Sequence, residues 1–326
     1  MARMQADRPR PRRVLDHGRT THHVRPRRLA LLITLLATIL LGACTSPAPP
    51  TGAPQQPETR TAATSEPPEP LEPGSTSRSV SVDGIDRTYR AYRPENLADP
   101  APLILAYHGR GGDAAEMEAS TGWDEQADRT GSVIVFPNGL GRSFNAGGCC
   151  GQAEGDDIDD VAAALAMIDD VSAAIPVDPD RVYATGFSNG GHMVYRLACE
   201  TDRFAAIAPV SGARLGSCDD PHQTSLLHVH GLQDSSVPPD GESRPGGVVV
   251  PPLEETVADW LRALTCSTPT ESTSDDGDVR RSDAGCADGR AVDLITLETF
   301  GHAWPRSGDG LDATEEIARF FAEHHR

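Results

Sequence analysis

Residues 182–191 read Val-Tyr-Ala-Thr-Gly-Phe-Ser-Asn-Gly-Gly. An apolar run ends in Gly186-Phe187-Ser188-Asn189-Gly190. A segment with a helical inner stripe (Met193, Leu197, Ala198) follows. This is the G-x-S-x-G pattern in its mechanical context, a strand turning sharply into a helix. Glycines on either side let the chain turn tightly and approach itself closely. The turn is expected to hold Ser188 in a constrained backbone position with its hydroxyl exposed. A Gly-rich turn carrying a solvated serine is the competing reading of the pentapeptide, so the assignment depends on what surrounds it.

Outward from this turn, short apolar runs alternate with helical spacing. Strands are predicted at 79–82, 88–92, 102–107, 132–136, 182–186, 206–210, 226–230 and 292–297. Helices are predicted at 156–174, where Ile158, Val161, Leu165, Ile168 and Val171 recur at three and four, and at 253–264 and 312–324. This alternation implies an α/β fold: a mainly parallel central sheet with helices on both faces.

A serine hydroxyl needs a base to take its proton and an acid to orient that base. On such sheets the acid and the histidine follow the serine in that order. Asp234 lies in His230-Gly231-Leu232-Gln233-Asp234, at the C-terminal end of a predicted strand, where open α/β sheets build their sites. Asp219, Asp220 and Asp240 fit that position less well. His302 lies in Gly301-His302-Ala303-Trp304-Pro305, just after the last strand. His192 sits on the helix after the serine. His228 and His230 share one face of a strand, where they are expected to pack. As an H-x-H metal pair they lack a third ligand. The expected oxyanion donors are the backbone N–H groups of Asn189, directly after the serine, and of Arg110 in His108-Gly109-Arg110-Gly111-Gly112. His108, Trp304 and Trp123 are candidate pocket residues, together with the 139–151 loop.

With these residues placed, the chain resembles the secreted polyhydroxybutyrate depolymerase-like esterases, relatives of the feruloyl and acetylxylan esterases of carbohydrate esterase family 1. The resemblance rests on Tyr107-His108-Gly109, Asn145-Ala146-Gly147-Gly148-Cys149-Cys150, Asp159-Asp160-Val161, Asp178 to Gly191, Asp234 to Pro238 and Gly301 to Pro305. It covers nearly everything from residue 79 onward. It implies an α/β-hydrolase fold and Ser188, Asp234 and His302 in the triad roles. Two features depart from the family. Arg110 stands where members often carry a small or uncharged residue. No separate polymer-binding module follows the catalytic region, which counts against insoluble polyester as substrate.

The N-terminal segment has another character. Arg25, Arg27 and Arg28 precede the apolar run Leu29–Leu41, and Leu41-Gly42-Ala43-Cys44 follows. A basic segment, a short apolar run and small residues form a signal-peptide pattern, too short to prefer a transmembrane helix. The pattern resembles a bacterial lipobox, which makes Cys44 the lipidated residue and 1–43 the signal. Ordinary secretion and an uncleaved anchor are the alternatives. Nine of the thirty residues from Thr45 to Gly74 are proline, so 44–75 is expected to be an unfolded tether. That leaves 76–326 as the catalytic domain, expected to be exported and either lipid-anchored to the outer face of the cell membrane or secreted.

The formal net charge of −19 disfavours nucleic acid. Six cysteines remain beyond Cys44, an even number that suits disulfides in an exported domain. Cys266 and Cys286 flank a polar stretch and form the best local pair. Bonding adjacent Cys149 and Cys150 to each other implies strain, so these two are expected to pair with Cys199 and Cys218. The sequence therefore points to a monomeric serine esterase with no metal or cofactor, acting on small or oligomeric esters. Acyl transfer, peptide hydrolysis and a non-catalytic surface-binding lipoprotein are the competing functions.

Overall fold

The structure, a computed structural model, describes residues 69–218, 220–243 and 248–326. The expected signal peptide, Cys44, the tether up to residue 68 and Asp219 lie outside the described residues. Leu71 is already buried, and β1 (Gly74–Val82) begins two residues before the expected start of the domain at 76. The ordered chain thus starts earlier than 76, because Leu71 packs into the core.

β1 pairs in antiparallel register with β2 (Ile85–Arg93), which leads into β3 (Ala101–Tyr107). Helices α1 (Ala114–Thr121) and α2 (Trp123–Thr130) then return the chain to β4 (Val133–Pro137). A loop and the short α3 (Gly151–Gly155) precede α4 (Asp160–Ala174), β5 (Val177–Phe187) and α5 (Asn189–Glu200). The strands β6 (Ala206–Val210) and β7 (Ser225–Gly231) follow, then a two-stranded ribbon, β8 (Glu242–Ser243) and β9 (Val249–Val250). The chain closes with α6 (Leu253–Ala263), β10 (Thr270–Thr273), β11 (Val279–Gly285), β12 (Ala291–Leu297) and α7 (Ala313–Glu323).

Ten strands form one sheet in the order β1-β2-β4-β3-β5-β6-β7-β12-β11-β10. The six from β4 to β12 are parallel, and antiparallel strands flank them at both edges. The expected α/β fold, with its mainly parallel sheet, is the one observed. Strand β3 shows why its sequence is apolar throughout: both of its faces are covered. Leu103, Leu105 and Tyr107 face a core completed by α4, α5 and α6, whereas Ile104 and Ala106 face one completed by α1, α2 and α7.

Three departures from the sequence reading have local causes. Helix α4 starts at Asp160 rather than 156, because the Asp159 side chain caps it by accepting from the Ala162 N–H at 2.8 Å. The polar stretch between Cys266 and Cys286 is a hairpin, β10–β11, that extends the sheet beyond β12. Its strands read as polar because β10 is exposed along its whole length.

The disulfide pairing also differs. Cys266–Cys286 forms as expected, but Cys199 bonds Cys218 and Cys149 bonds its neighbour Cys150. The last turn of α5 lies beside the loop after β6, bringing the Cys199 and Cys218 Cα atoms to 5.4 Å, within ordinary disulfide reach. That pairing leaves Cys149 and Cys150 to each other.

At the far edge, Asp283 and Asp293 stand directly opposite on β11 and β12. Burial, and then the Asp283 charge, push the Asp293 carboxyl up to about 7. A carboxyl raised in the folded state contributes stability at low pH that is lost as pH rises through its folded value. Asp293→Asn keeps an acceptor for the Ala284 N–H. It should raise Tm at pH 8 and have little effect at pH 5, as read by paired thermal melts.

Candidate active site

The turn at Ser188 depends on backbone close approach. A Cβ on Gly190 would sit 2.2 Å from the Tyr107 carbonyl oxygen, and one on Gly186 would sit 2.5 Å from the Gly190 backbone. Only glycine permits strand β5, the end of β3 and the start of α5 to meet this closely. Ser188 itself has φ 54° and ψ −115°, a left-handed conformation outside the ordinary allowed regions. Such a residue costs on the order of 1–3 kcal/mol and persists only where its surroundings fix it. Here the Ser188 N–H donates to the Val210 carbonyl at 3.0 Å, and its carbonyl accepts from the His192 N–H at 2.9 Å.

Strand order brings the other two residues to this turn. β7 and β12 are parallel neighbours, with Gly231 in register with Leu297. Their following loops are stitched together by Leu232 N–H to the Leu297 carbonyl (2.8 Å) and Gln233 N–H to the Phe300 carbonyl (2.9 Å). Asp234 and His302, 68 residues apart, therefore meet: His302 Nδ1 is 2.7 Å from Asp234 Oδ2. On its other side, His302 Nε2 is 2.9 Å from Ser188 Oγ. The His302 ring rests on Phe187, centroids 4.8 Å apart.

Asp234 is fully enclosed, while His302 keeps about a fifth of its side-chain surface exposed. The carboxylate is well supplied with donors. Oδ1 accepts from the Ser236 and Val237 N–H groups, both at 2.7 Å. Burial alone raises a carboxyl's pKa. Hydrogen bonds from His230, His302 and the Val237 N–H outweigh it here and hold Asp234 well below the usual carboxylate range.

The 108–112 loop lies against the serine. A Cβ on Gly109 would be 3.4 Å from Ser188 Cβ. Gly112 N–H bonds the Gly109 carbonyl, and Gly111 takes φ 86°, so Arg110 and Gly111 are the corners of a type II turn. The Arg110 N–H is thereby left outside the turn's own hydrogen bond. The Asn189 N–H, at the first position of α5, has no intrahelical acceptor by geometry.

The candidate pocket residues separate. His108 is buried and structural. Its Nδ1–H donates to the Gly109 carbonyl (2.8 Å) and its Nε2 accepts from the Gly139 N–H (3.1 Å). Burial lowers its pKa, so it stays neutral in this role. Trp123 is wholly buried and stacks near Phe321 of α7, so it belongs to the core and not to a pocket wall. Trp304 is half-buried, and its indole N–H is taken by Thr314 Oγ1 at 3.0 Å.

Two features escaped the sequence reading. The Asn189 side chain locks onto Phe144, accepting from its N–H (2.8 Å) and donating to its carbonyl (3.0 Å). The Cys150 N–H also donates to that carbonyl. The 139–151 loop with its vicinal disulfide is thus latched to the residue after the serine. The second is a buried chain of Tyr195, His228 and His230 behind Asp234. The H-x-H pattern was its visible trace.

Gly190→Ala should force the overlap with Tyr107 described above. Overpacking of this kind costs about 1–3 kcal/mol. Thermal melting should fall by several degrees and hydrolytic activity by more than the lost folded fraction explains.

Comparison with known proteins agrees with this architecture. The X-Pro dipeptidyl-peptidase (S15) family matches residues 83–220, the part that carries the serine turn. NocK of Nocardia uniformis subsp. tsuyamanensis, a protein named as an esterase, is 32% identical over 255 residues, 71% of this chain and 74% of NocK. Feruloyl esterase B of Piromyces equi is 28% identical over 241 residues, 68% of this chain and 42% of that longer protein. Among solved structures, an acetyl xylan esterase from Aspergillus awamori superposes with a TM-score of 0.56 at 15% identity, covering 76% of this chain and 99% of its own. That likeness speaks for the fold. By its likeness to NocK the chain belongs to that esterase family, its fold is that of the α/β-hydrolases, and it is a carboxylic ester hydrolase.

Proposed function

We propose that this hydrolase works through Ser188 by an acyl-enzyme mechanism. The hydrogen-bond chain from Ser188 Oγ through His302 to Asp234, at 2.9 and 2.7 Å, is the observation that carries this reading. His302 Nε2 accepts the Ser188 proton as Oγ attacks the ester carbonyl. Asp234, ionised and fixed by backbone N–H groups, accepts the Nδ1–H, sets the tautomer and stabilises the imidazolium. The N–H groups of Asn189 and Arg110 receive the developing oxyanion. His302 then protonates the leaving alcohol. Water, deprotonated by the same histidine, attacks the acyl-enzyme and releases the acid. The exposed edge of His302 leaves room for substrate and water to arrive from one side.

The substrate reading follows the relatives' names. Feruloyl and acetyl esters are the classes proposed from those names, and short hydroxyalkanoate esters from the sequence resemblance alone. We place the protein outside the cytoplasm, lipidated at Cys44 and held off the membrane by the Pro-rich tether, with the chain from Leu71 onward as the working domain. Three disulfides in the described region suit an oxidising compartment. The match to a peptidase family over 83–220 favours one second reading, hydrolysis of amides by the same residues.

Ser188→Ala should reduce turnover of p-nitrophenyl acetate by at least about a thousandfold, as loss of a triad member does, with Tm little changed. Retained turnover would exclude Ser188 as the nucleophile. A panel of acetyl, butyryl, 3-hydroxybutyryl-oligomer and feruloyl esters beside aminoacyl amides should show kcat/KM highest among the esters. A preference for the amides would select the peptidase reading.

A further inference from the structure

Behind the candidate triad lies a line of buried polar groups that ester hydrolysis, as described above, does not use. Tyr195 of α5 and His228 and His230 of β7 are each at most 2% exposed. The Tyr195 hydroxyl is 2.6 Å from His228 Nδ1. His228 Nε2 is 2.9 Å from His230 Nδ1. His230 Nε2 is 2.8 Å from the Val237 carbonyl and 3.4 Å from Asp234 Oδ2. The two imidazoles stack almost parallel, 11° apart. Three polar side chains removed from water, each hydrogen-bonded and all ending at one carboxylate, form a network and not chance core packing.

With all three side chains neutral, one proton arrangement satisfies every group in this line. A carbonyl oxygen only accepts, so His230 Nε2 carries a hydrogen. At the other end, burial strongly raises the Tyr195 phenol, which keeps its proton. Burial, then the neighbouring His230 and His192, hold His228 far below its ordinary value, so it is neutral. A neutral His228 that accepts from Tyr195 at Nδ1 must donate from Nε2. His230 Nδ1 therefore accepts, and its single hydrogen points from Nε2 toward Val237 and Asp234. Val237 serves both sides: its carbonyl takes the His230 N–H while its N–H bonds Asp234 Oδ1.

We infer that His230 is a positioning residue for the triad acid, its Nε2–H oriented onto Asp234 Oδ2 by the Tyr195–His228 relay, so that His302 shares that oxygen with a second, neutral donor. The inference deepens the serine-hydrolase reading and rests on it. A carboxylate with fewer donors draws the His302 proton more strongly. The relay therefore weakens the hold of Asp234 on the imidazolium. His192 of α5 also faces this group. Its Nδ1 lies 2.8 Å from the Ala213 carbonyl, and burial holds it down to about 4, so it brings no charge near neutrality. Arg214, paired with Asp259 of α6, is the cation whose field reaches Tyr195.

The test has two arms. In the intact wild-type protein, long-range proton–nitrogen NMR should find His228 and His230 both as neutral Nε2–H tautomers. An Nδ1–H tautomer for His230 would overturn the inference, whatever the activity. In the pH profile of kcat/KM for p-nitrophenyl acetate, His230→Leu removes the donor. The acidic limb should move to higher pH by roughly half a unit or more, with kcat reduced and KM held. His230→Gln, which offers an amide N–H near the same place, should return the limb to its wild-type position. Identical limbs in all three proteins would reduce His230 to a packing residue. If His230→Leu does not fold, the tautomers and a wild-type limb in His230→Gln still support the inference, and a shifted limb in a folded His230→Gln opposes it. Failure of the serine reading shows elsewhere, as activity persisting in Ser188→Ala.

Discussion

The molecule depends on one backbone contact, that of Gly190 against the carbonyl of Tyr107. It fixes the end of β3 against the first turn of α5 and allows no side chain between them. Ser188 is caught in that contact with a positive φ, its N–H held by Val210 of the neighbouring strand. The cost of the conformation is met by the packing of two cores, one on each face of the sheet. The strained residue is thereby presented at the C-terminal ends of parallel strands, where each following loop can deliver one more group.

Those loops divide the work by burial. Asp234 is sealed inside and surrounded by donors, so its charge is held without water. His302 stands between that charge and the serine, its ring against Phe187 and about a fifth of its side chain exposed. The 139–151 loop is fastened at its middle by two neighbouring residues. Asn189 holds Phe144, and the Asp160 carboxylate holds the Asn145 N–H at 2.6 Å while pairing with buried Arg87.

Much of this was legible because chemistry imposes residue types on the chain. The parallel strands announced themselves as apolar runs, since burial on both faces leaves no polar position. Ser188, Asp234 and His302 each stood directly after a predicted strand, and the structure brings these three side chains together. What was not legible depended on tertiary partners. β10 and β11 read as a polar loop because one edge strand is exposed. Cys149 and Cys150 were matched to the wrong partners because the meeting of α5 with the loop after β6 has no local signal. Trp123 looked available for a pocket, yet the packing of α7 over α2 encloses it. His228 and His230 were read as packing residues. Packed they are, but the sequence held no sign that Tyr195 and Asp234 stand at the two ends of their hydrogen bonds.

The central claim is that Ser188, and no other residue, forms the covalent intermediate. Incubation with a fluorophosphonate followed by peptide mass spectrometry tests it directly. The account requires a single adduct on Ser188 and a loss of ester hydrolysis in proportion to labelling. Full activity in a protein labelled at Ser188, or inactivation with the adduct on a different residue, would contradict it.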